Sequence, residues 1–234
     1  MSTFNPTLAE VLGGLFDSIK PKKYVEFGNE LEYLARMYPK SAEQSYGIDW
    51  SPIIDFLQLD QSVHIFPVTA DIALHNAYIL HFLYEPDLVF VNGFHRYEEV
   101  AKILLLIEQY CKKDTILLTT DTWPSDPNKC ARPRKRDDDK IEGVGDNFRI
   151  LNMYSKYRPD LKLENYNVCD GLLKITNLNP ENAKKCLKNY IEVITDALNV
   201  PLEKRETKYD VRVSIVKVNN TEAQENVGSG IHIS

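Results

Sequence analysis

The sequence lacks the features that would place the chain in a membrane or an oxidising compartment. Its first twenty residues, MSTFNPTLAEVLGGLFDSIK, have neither the basic start nor the continuous apolar stretch of a signal peptide, and no apolar run is long enough to span a bilayer. The 4 cysteines are scattered and form no Cys-x-x-Cys pair, which argues against a zinc site or a disulfide framework. We therefore expect a cytoplasmic protein with reduced thiols and no membrane partner.

An excess of positive charge is also missing. The formal net charge is -6, so the chain as a whole does not attract nucleic acid or an anionic membrane. The one basic run, residues 132–136, is short, is followed by three aspartates and contains no aromatic residue, so we expect no nucleic-acid partner. At 234 residues, of which 43% are hydrophobic, the chain suits one globular α/β domain over residues 1–200. Residues 201–234 are expected to form an extension with a possible strand and a polar tail.

Glycine is scarce where a dinucleotide-binding fold would need it. Residues 22–49, KKYVEFGNELEYLARMYPKSAEQSYGID, predict a strand, a turn at Gly28, a helix and a second strand that ends at Asp49. A pyrophosphate-binding turn uses three glycines, whereas here Glu30 and Glu32 would repel the phosphates. Asp49 follows Gly28 by about twenty residues, the spacing of a carboxylate that binds ribose hydroxyls. The pattern favours a cationic or zwitterionic nucleoside over NAD, with a packed unit that binds no ligand as the alternative.

The rest of the chain alternates between strand and helix patterns. Strands are predicted at residues 64–70, 87–91 and 115–119, and helices at 7–19, 53–57, 73–83, 97–110, 148–157 and 180–198. The segments LKLENYNVC and LLKITNL flank Asp170-Gly171, which predicts a hairpin, and residues 210–218 alternate as a possible late strand. These elements predict a Rossmann-like, doubly wound, mostly parallel sheet with a C-terminal antiparallel hairpin.

Polar residues or glycines end each of the predicted parallel strands. They are Gly28, Asp49, Asp71, Asn92 with Gly93, and Asp121. Sheets of this kind bind ligands at the carboxyl ends of their strands, so we expect these residues to share one edge. The stretch between residues 123 and 147 loses its periodicity and is predicted to be a long loop that leaves this edge.

With these residues placed, the chain resembles the class I S-adenosylmethionine-dependent methyltransferases. The resembling branch is a small one of sugar and small-molecule O-methyltransferases with an Asp-Gly-x-His-x-Tyr-Glu motif, which reads NGFHRYE here from Asn92. The segment LLTTDTWP, the helix start Gly145-Asp146-Asn147-Phe148, the stretch RPDL at residues 158–161 and the Asp-Gly hairpin follow in the family's order. The resemblance covers residues 20–178.

The resemblance implies S-adenosylmethionine as cofactor. The implied cofactor-binding residues are Glu26, Gly28, Asp49, Trp50, Ala70, Asp71 and Asn92. Glu26 and Gly28 would flank the methionine moiety. Asp49 would bind the ribose hydroxyls, and Ala70 and Asp71 the adenine edge. Trp50 would form an apolar wall beside the adenine, unless it is a core or surface tryptophan.

Two departures from the family pattern affect the expected chemistry. Glu30 and Glu32 replace glycines of the first turn, which would weaken cofactor binding. Asn92 replaces an aspartate that metal-dependent relatives use as a ligand, and Thr120-Asp121 stands where they have paired aspartates. Because a hard divalent cation needs several charged oxygen ligands, we expect no metal.

The resemblance also indicates where catalysis would take place. His95 and Asp121 are the candidate catalytic residues, with His95 as the base; otherwise His95 caps a helix or packs in a turn, and Asp121 braces the loop. Arg132, Arg134 and Arg136 would bind an anionic acceptor such as a phosphorylated or nucleotide-linked sugar, or else lie on a solvated surface.

We therefore expect an O-methyltransferase that acts on a small hydroxylated acceptor, with a sugar or glycan as the first candidate. Glu30, Glu32 and Asn92 also allow a non-catalytic binding or scaffold protein on a degenerate methyltransferase fold. A third possibility is an enzyme of the same fold with different chemistry, such as a hydroxylase-like relative.

Overall fold

The computed structural model describes residues 7–28, 39–51, 60–130, 143–168, 170–199 and 213–216. Within these ranges the strands are β1 (Lys23–Phe27), β2 (Gln44–Ile48), β3 (Val63–Phe66), β4 (Leu88–Val91), β5 (Ile116–Thr120), β6 (Lys162–Tyr166), β7 (Leu172–Thr176) and β8 (Val213–Val216). The helices are α1 (Leu8–Ile19), α2 (Ala70–His75), α3 (Ala77–Leu83), α4 (Tyr97–Glu108), α5 (Arg149–Tyr157), α6 (Pro180–Lys188) and α7 (Tyr190–Leu198). None of these helices is long and apolar enough to cross a bilayer.

The eight strands form one sheet in the order β3-β2-β1-β4-β5-β7-β6-β8. The first five strands are parallel to their neighbours, β7 runs antiparallel to β5 and β6, and β8 pairs in parallel with β6. This confirms the predicted fold: a Rossmann-like, mostly parallel sheet that ends in an antiparallel hairpin. Gly171, in the hairpin turn, has a φ of 96°, which a residue with a side chain would rarely adopt.

Both faces of the sheet are buried, which explains the continuous apolar run of β4. Residues on one face, such as Val25 and Phe27, belong to the larger core, to which helices α2 to α7 contribute. Tyr24 and Phe90 lie on the other face and pack in a second cluster with residues of α1. Helix α1 begins at a reciprocal capping box, in which the side chains of Thr7 and Glu10 bond each other's backbone N–H groups.

Two helices that the periodicity predicts as continuous are each broken by an asparagine. The helix predicted at residues 73–83 is divided into α2 and α3 at Asn76, which is extended at φ -97° and ψ 111°. Its Oδ1 accepts hydrogen bonds from the N–H groups of Tyr78 and Ile79, at 3.0 and 3.2 Å, and so begins a new helix. The helix predicted at 180–198 is also divided, into α6 and α7 at Asn189, but the Asn189 side chain makes no cap hydrogen bond. At Asn76 the local side-chain cap competes with the helix in a way that apolar periodicity does not reveal.

The third strand ends earlier than predicted. It runs only to Phe66, because Pro67 has no N–H to continue the ladder and Thr69 caps α2 by accepting a hydrogen bond from Ile72 N at 3.3 Å. Ala70 and Asp71 therefore lie in the first turn of α2 rather than at a strand end, and the prediction that Asp71 ends a strand is wrong.

The remaining predictions differ from the structure mainly at element boundaries. The hairpin is confirmed as β6 and β7, and the described part of the late strand is Val213–Val216. In its described part the predicted long loop contains a 3-10 turn, Pro127–Cys130. The helices predicted at residues 31–38 and 53–57 lie outside the described residues.

Candidate active site

Four neighbouring parallel strands end in one row. In the sheet register Phe27 pairs with Ile48 and with Val91, and Val91 pairs with Thr119. The next residue of each strand therefore falls in a row of four: Asp49, Gly28, Asn92 and Thr120. Backbone hydrogen bonds continue the ladder into this row, from Gly28 N to Ile48 O at 3.2 Å and from Asn92 N to Phe27 O at 2.9 Å. The expectation that these strand ends share an edge is met for this row, which we call the strand-end row.

Asp49 places a carboxylate in the row. The residue is only 2% exposed, and its Oδ1 accepts a hydrogen bond from Ser51 N at 3.0 Å. This short turn fixes the carboxylate at the end of β2. Trp50, the next residue, is 65% exposed, so it lies on the surface rather than in the core.

Glu26 is a second buried carboxylate, one residue before the end of β1. Tyr24, two residues earlier on the same face of the strand, donates a hydrogen bond from its hydroxyl to Glu26 Oε2 at 2.7 Å. A carboxylate on a central strand is costly to bury unless hydrogen bonds compensate it. Glu26 is thus held inside the smaller core, near the strand-end row.

Asn92 and Thr120 bond each other across the row. The Thr120 hydroxyl donates to Asn92 Oδ1 at 2.8 Å. The Asn92 side-chain oxygen is thereby bonded by the neighbouring strand. No group of three or more His, Cys, Asp or Glu side chains in the described ranges is arranged to hold a metal ion.

His95 and Asp121, the two predicted catalytic residues, come together beyond the row. His95 Nδ1 lies 3.8 Å from Asp121 Oδ2, with the side chains 34% and 17% exposed. Burial lowers the pKa of His95 below its ordinary 6.5, although a hydrogen bond from the ring to the Val144 carbonyl opposes this shift. Nδ1 is shielded from solvent and makes no hydrogen bond within the described part of the chain. The lowered pKa favours the neutral ring at pH 7.

Asp121 has the properties of a strained, protonatable carboxyl. Its φ is 63°, a left-handed conformation that few residues with side chains adopt. Burial, reinforced by the like charge of Asp170, raises its pKa to about 7. Asp170 itself is paired with Lys129, whose Nζ lies 3.2 Å from Asp170 Oδ2. Strain together with a pKa near neutrality is typical of functional sites.

Asp71 is engaged elsewhere in this structure. Its carboxylate pairs with Lys102 of α4 and lies 3.7 Å from His75 Nδ1. The Lys102 ammonium, through a hydrogen bond, is the main cause of its lowered pKa. The side chain is 60% exposed. The structure therefore joins Asp71 to the surface between α2 and α4.

Arg132, Arg134 and Arg136 lie outside the described residues. The two ends of their loop are described: Val144 N donates to Lys129 O at 2.9 Å, and a Cβ on Gly143 would lie 2.6 Å from the same oxygen. The loop therefore begins beside Asp170, which pairs with Lys129, and ends at the carbonyl that binds His95.

Sequence reasoning missed two features of the site. The segment Val144–Gly145–Asp146–Asn147 packs against the His95 loop, and Asp170 of the hairpin turn faces Asp121. In the sequence, the first segment is marked only by the family resemblance, and Asp170 only by the hairpin signal Asp170-Gly171. The glycines within them, Gly145 and Gly171, have positive φ angles and are the sequence signal of a close approach.

Comparison with solved structures identifies the fold. PaMTH1 from Podospora anserina, bound to SAH, matches with a TM-score of 0.52 and 14% identity over 76% of this chain and 91% of its own. A proposed caffeoyl-CoA O-methyltransferase from Staphylococcus aureus matches with a TM-score of 0.51 and 15% identity over 74% of this chain and 86% of its own. The chain has the class I methyltransferase fold. Cofactor-bound Rv0187 from MTB matches this fold with a TM-score of 0.52 and 14% identity over 74% of this chain and 83% of its own. No protein-family model matches the chain. No curated protein matches it either.

Proposed function

We propose that the protein is an S-adenosylmethionine-dependent O-methyltransferase that acts on a small hydroxylated acceptor. The observation that carries the proposal is the strand-end row with the His95–Asp121 pair beside it. A buried carboxylate and a candidate base thus lie at the ligand-binding edge of a methyltransferase fold. The solved structures that share this fold include one bound to SAH and one bound to a cofactor, which supports the choice of cofactor.

The residues at this edge suit the cofactor chemically. Ribose hydroxyls are donors, and the 2% exposed carboxylate of Asp49 is an acceptor fixed at the end of its strand. Gly28 offers only backbone beside it, which leaves room for the methionine moiety. We assign the remaining contacts to Glu26, Trp50, Ala70, Asp71 and Asn92. When bound, the cofactor supplies an electrophilic methyl group on a positively charged sulfur.

His95 is the proposed base. Burial favours its neutral ring, which accepts the proton of the acceptor hydroxyl as that oxygen bonds the methyl group. When the Asp121 carboxyl is ionised, it lies 3.8 Å from the His95 ring and stabilises the imidazolium that forms. Much of the remaining rate comes from holding the acceptor oxygen in line with the methyl group.

We propose that no metal takes part. Asn92 replaces a carboxylate, and its Oδ1 already accepts a hydrogen bond from Thr120. Asp121 alone supplies too little negative charge to offset the dehydration of magnesium. Methyl transfer should therefore be unchanged by EDTA. Inactivation by EDTA with rescue by magnesium would place Asn92 and Asp121 in a metal site.

For the acceptor, we propose a sugar or glycan that carries a negative charge, bound by Arg132, Arg134 and Arg136. Neutralising two of these arginines should raise the acceptor KM and leave cofactor affinity unchanged. An acceptor affinity that responds neither to these changes nor to added salt would assign the arginines to a solvated surface.

A non-catalytic binding protein is the second candidate, because two of the proposed cofactor residues depart from a binding arrangement. Trp50 is 65% exposed, and Asp71 is paired with Lys102. Calorimetric titration with S-adenosylmethionine and S-adenosylhomocysteine separates the candidates. Saturable binding of one equivalent supports the methyltransferase, whereas absence of binding by both compounds would exclude it and favour the binding protein.

A further inference from the structure

Three of the residues 144–147 bond the loop between β4 and α4. The Val144 carbonyl accepts a hydrogen bond from the His95 ring. Asp146 N donates to His95 O at 3.3 Å, and Asn147 Nδ2 donates to the Phe94 carbonyl. These contacts join segments about fifty residues apart, and all of them converge on His95 and its neighbours.

Gly145 allows this approach. It has a φ of 66°, and a Cβ at this position would lie 1.9 Å from His95 O and 2.9 Å from His95 Cβ. No side chain can occupy that space, so the two backbones touch directly. Any residue other than glycine would push the His95 loop away.

Asp146 also fixes the start of α4. The N-cap residue of that helix, Arg96, makes no side-chain cap hydrogen bond, and Asp146 Oδ1 instead accepts one from Tyr97 N at 2.9 Å. Asp146 is 3% exposed, and its Oδ2 lies 3.5 Å from Arg149 Nε. The aspartate therefore holds the loop from its far end, two residues beyond His95.

The buried side chain of Asn147 makes one described hydrogen bond. It is 1% exposed, its Nδ2 bonds Phe94 O, and its Oδ1 has no partner within the described ranges. Burying a carboxamide with one end unsatisfied is costly, so a purely structural role would favour an apolar side chain here. The hydrogen bond to Phe94, the residue before His95, indicates that the carboxamide positions the His95 loop.

We propose that Asp146 and Asn147 are positioning residues that hold His95 in the single tautomer and orientation that its role as a base requires. The Val144 carbonyl can bond only a protonated ring nitrogen, so it favours one of the two neutral tautomers. Asp146 and Asn147 keep the backbone where this bond can form. The catalytic purpose of the arrangement rests on the proposed function, but the arrangement itself can be tested without any substrate.

The test is nitrogen NMR of the His95 ring, in the wild type and in Asn147→Ala and Asp146→Ala variants. The wild type should show a single neutral tautomer and a pKa below 6.5. Both variants should show mixed tautomers and a pKa moved up toward the ordinary value, as water enters. The charged groups near the loop, Asp121 and Arg149, remain present in both variants, and Asp146 remains in Asn147→Ala. Asp146→Asn should restore the wild-type spectrum, because its amide oxygen can still accept from Tyr97 N.

Asn179→Ala is the matched control. Asn179 also caps a helix, by accepting from the N–H groups of Glu181 and Asn182, but it lies at the start of α6 and makes no described contact with the His95 loop. It should lower stability and leave the His95 tautomer and pKa unchanged. If Asn147→Ala does not fold, Asn147→Leu fills the same space without the donor. Folded variants at both positions that keep the wild-type tautomer and pKa would overturn the proposal.

Activity gives a second, separate readout. If methyl transfer is observed, Asn147→Ala should lower kcat roughly ten- to a hundredfold with little change in the KM for S-adenosylmethionine. A KM effect alone would contradict the positioning role. If no transfer is observed in the wild type, the proposed function fails while the NMR result still decides the positioning claim.

Discussion

The molecule buries charge in two regions, and it treats that charge differently in each. In the first region, after the end of α5, Arg158 is only 1% exposed. Its guanidinium donates to both oxygens of Glu108, at 2.5 and 2.6 Å, and to both oxygens of Asp160, at 3.0 and 2.9 Å. Asn179 N donates to Glu108 as well, at 2.9 Å. We call Glu108, Arg158 and Asp160 the arginine hub. Every charged group in it is satisfied, and the hub ties α4 and the end of α5 to the start of α6.

Beside the strand-end row, His95 and Asp121 are less completely bonded than the hub. His95 Nδ1 makes no hydrogen bond in the described part of the chain, and Asp121 is strained and faces a like charge. In the hub every charged group is hydrogen-bonded within the fold, whereas at the edge His95 Nδ1 has no hydrogen bond in the described part of the chain. Incomplete bonding together with a shifted pKa is typical of functional sites, which supports our proposal that this edge binds the ligand. The contrast yields four predictions, given from the largest expected effect to the smallest.

His95→Gln should remove activity without removing the fold. The glutamine amide can still donate to the Val144 carbonyl, but it supplies no base, so methyl transfer should fall roughly 10²- to 10⁴-fold. In the wild type the rate should fall as pH drops below 6.5, where the ring becomes protonated, and this acid limb should be absent from the variant. Steady-state transfer of a labelled methyl group across this pH range is the measurement. A variant as active as the wild type would remove His95 from the mechanism.

Glu108→Ala should lower the stability of the fold and leave ligand binding at the edge unchanged. Removing one partner leaves the buried Arg158 guanidinium with Asp160 as its one carboxylate in the hub, which should cost about 3 to 5 kcal/mol of unfolding free energy. Chemical denaturation measures this loss, with Glu181→Ala as the control, because the ion pair of Glu181 with Lys184 is exposed and its removal should barely move the midpoint. Folded Glu108→Ala should retain wild-type affinity for S-adenosylhomocysteine. A loss of affinity would mean that hub and edge are coupled.

Asp121→Asn should raise the free energy of unfolding at neutral and alkaline pH but not at acidic pH. The unfolded carboxyl ionises near pH 4, while the folded one holds its proton to about pH 7. Between these values the folded state binds more protons, so the wild type loses stability as pH rises. The variant escapes this loss and should gain on the order of 2 to 4 kcal/mol at pH 8, with no gain at pH 4. Denaturation at both pH values decides the matter. A variant that is less stable at pH 8 would show that Asp121 braces the loop.

Local patterns predicted the strand-end row, and contacts between distant segments explain what they missed. Apolar runs that stop at Gly28, Asp49 and Asn92 locate strand ends without knowledge of the fold. The pairing of Arg158 with Glu108 and the cap that Asp146 supplies to Tyr97 join residues 50 and 49 positions apart, and no periodicity encodes such pairs. Asp71 was misplaced for a local reason, because Pro67 and Thr69 end the strand and begin a helix within three residues.

Binding of S-adenosylhomocysteine to a matched pair of variants tests the central claim most directly. Asp49 and Asp60 each accept a hydrogen bond from the serine N–H two residues ahead, at 3.0 and 2.9 Å, but Asp49 follows β2 whereas Asp60 precedes β3, at the opposite edge of the sheet. By calorimetry, Asp49→Ala should weaken binding at least about tenfold, because charged hydrogen bonds to ribose hydroxyls contribute roughly 1.5 to 3 kcal/mol. Asp60→Ala should bind as the wild type does. Equal affinity in all three proteins would contradict a cofactor site at the strand-end row.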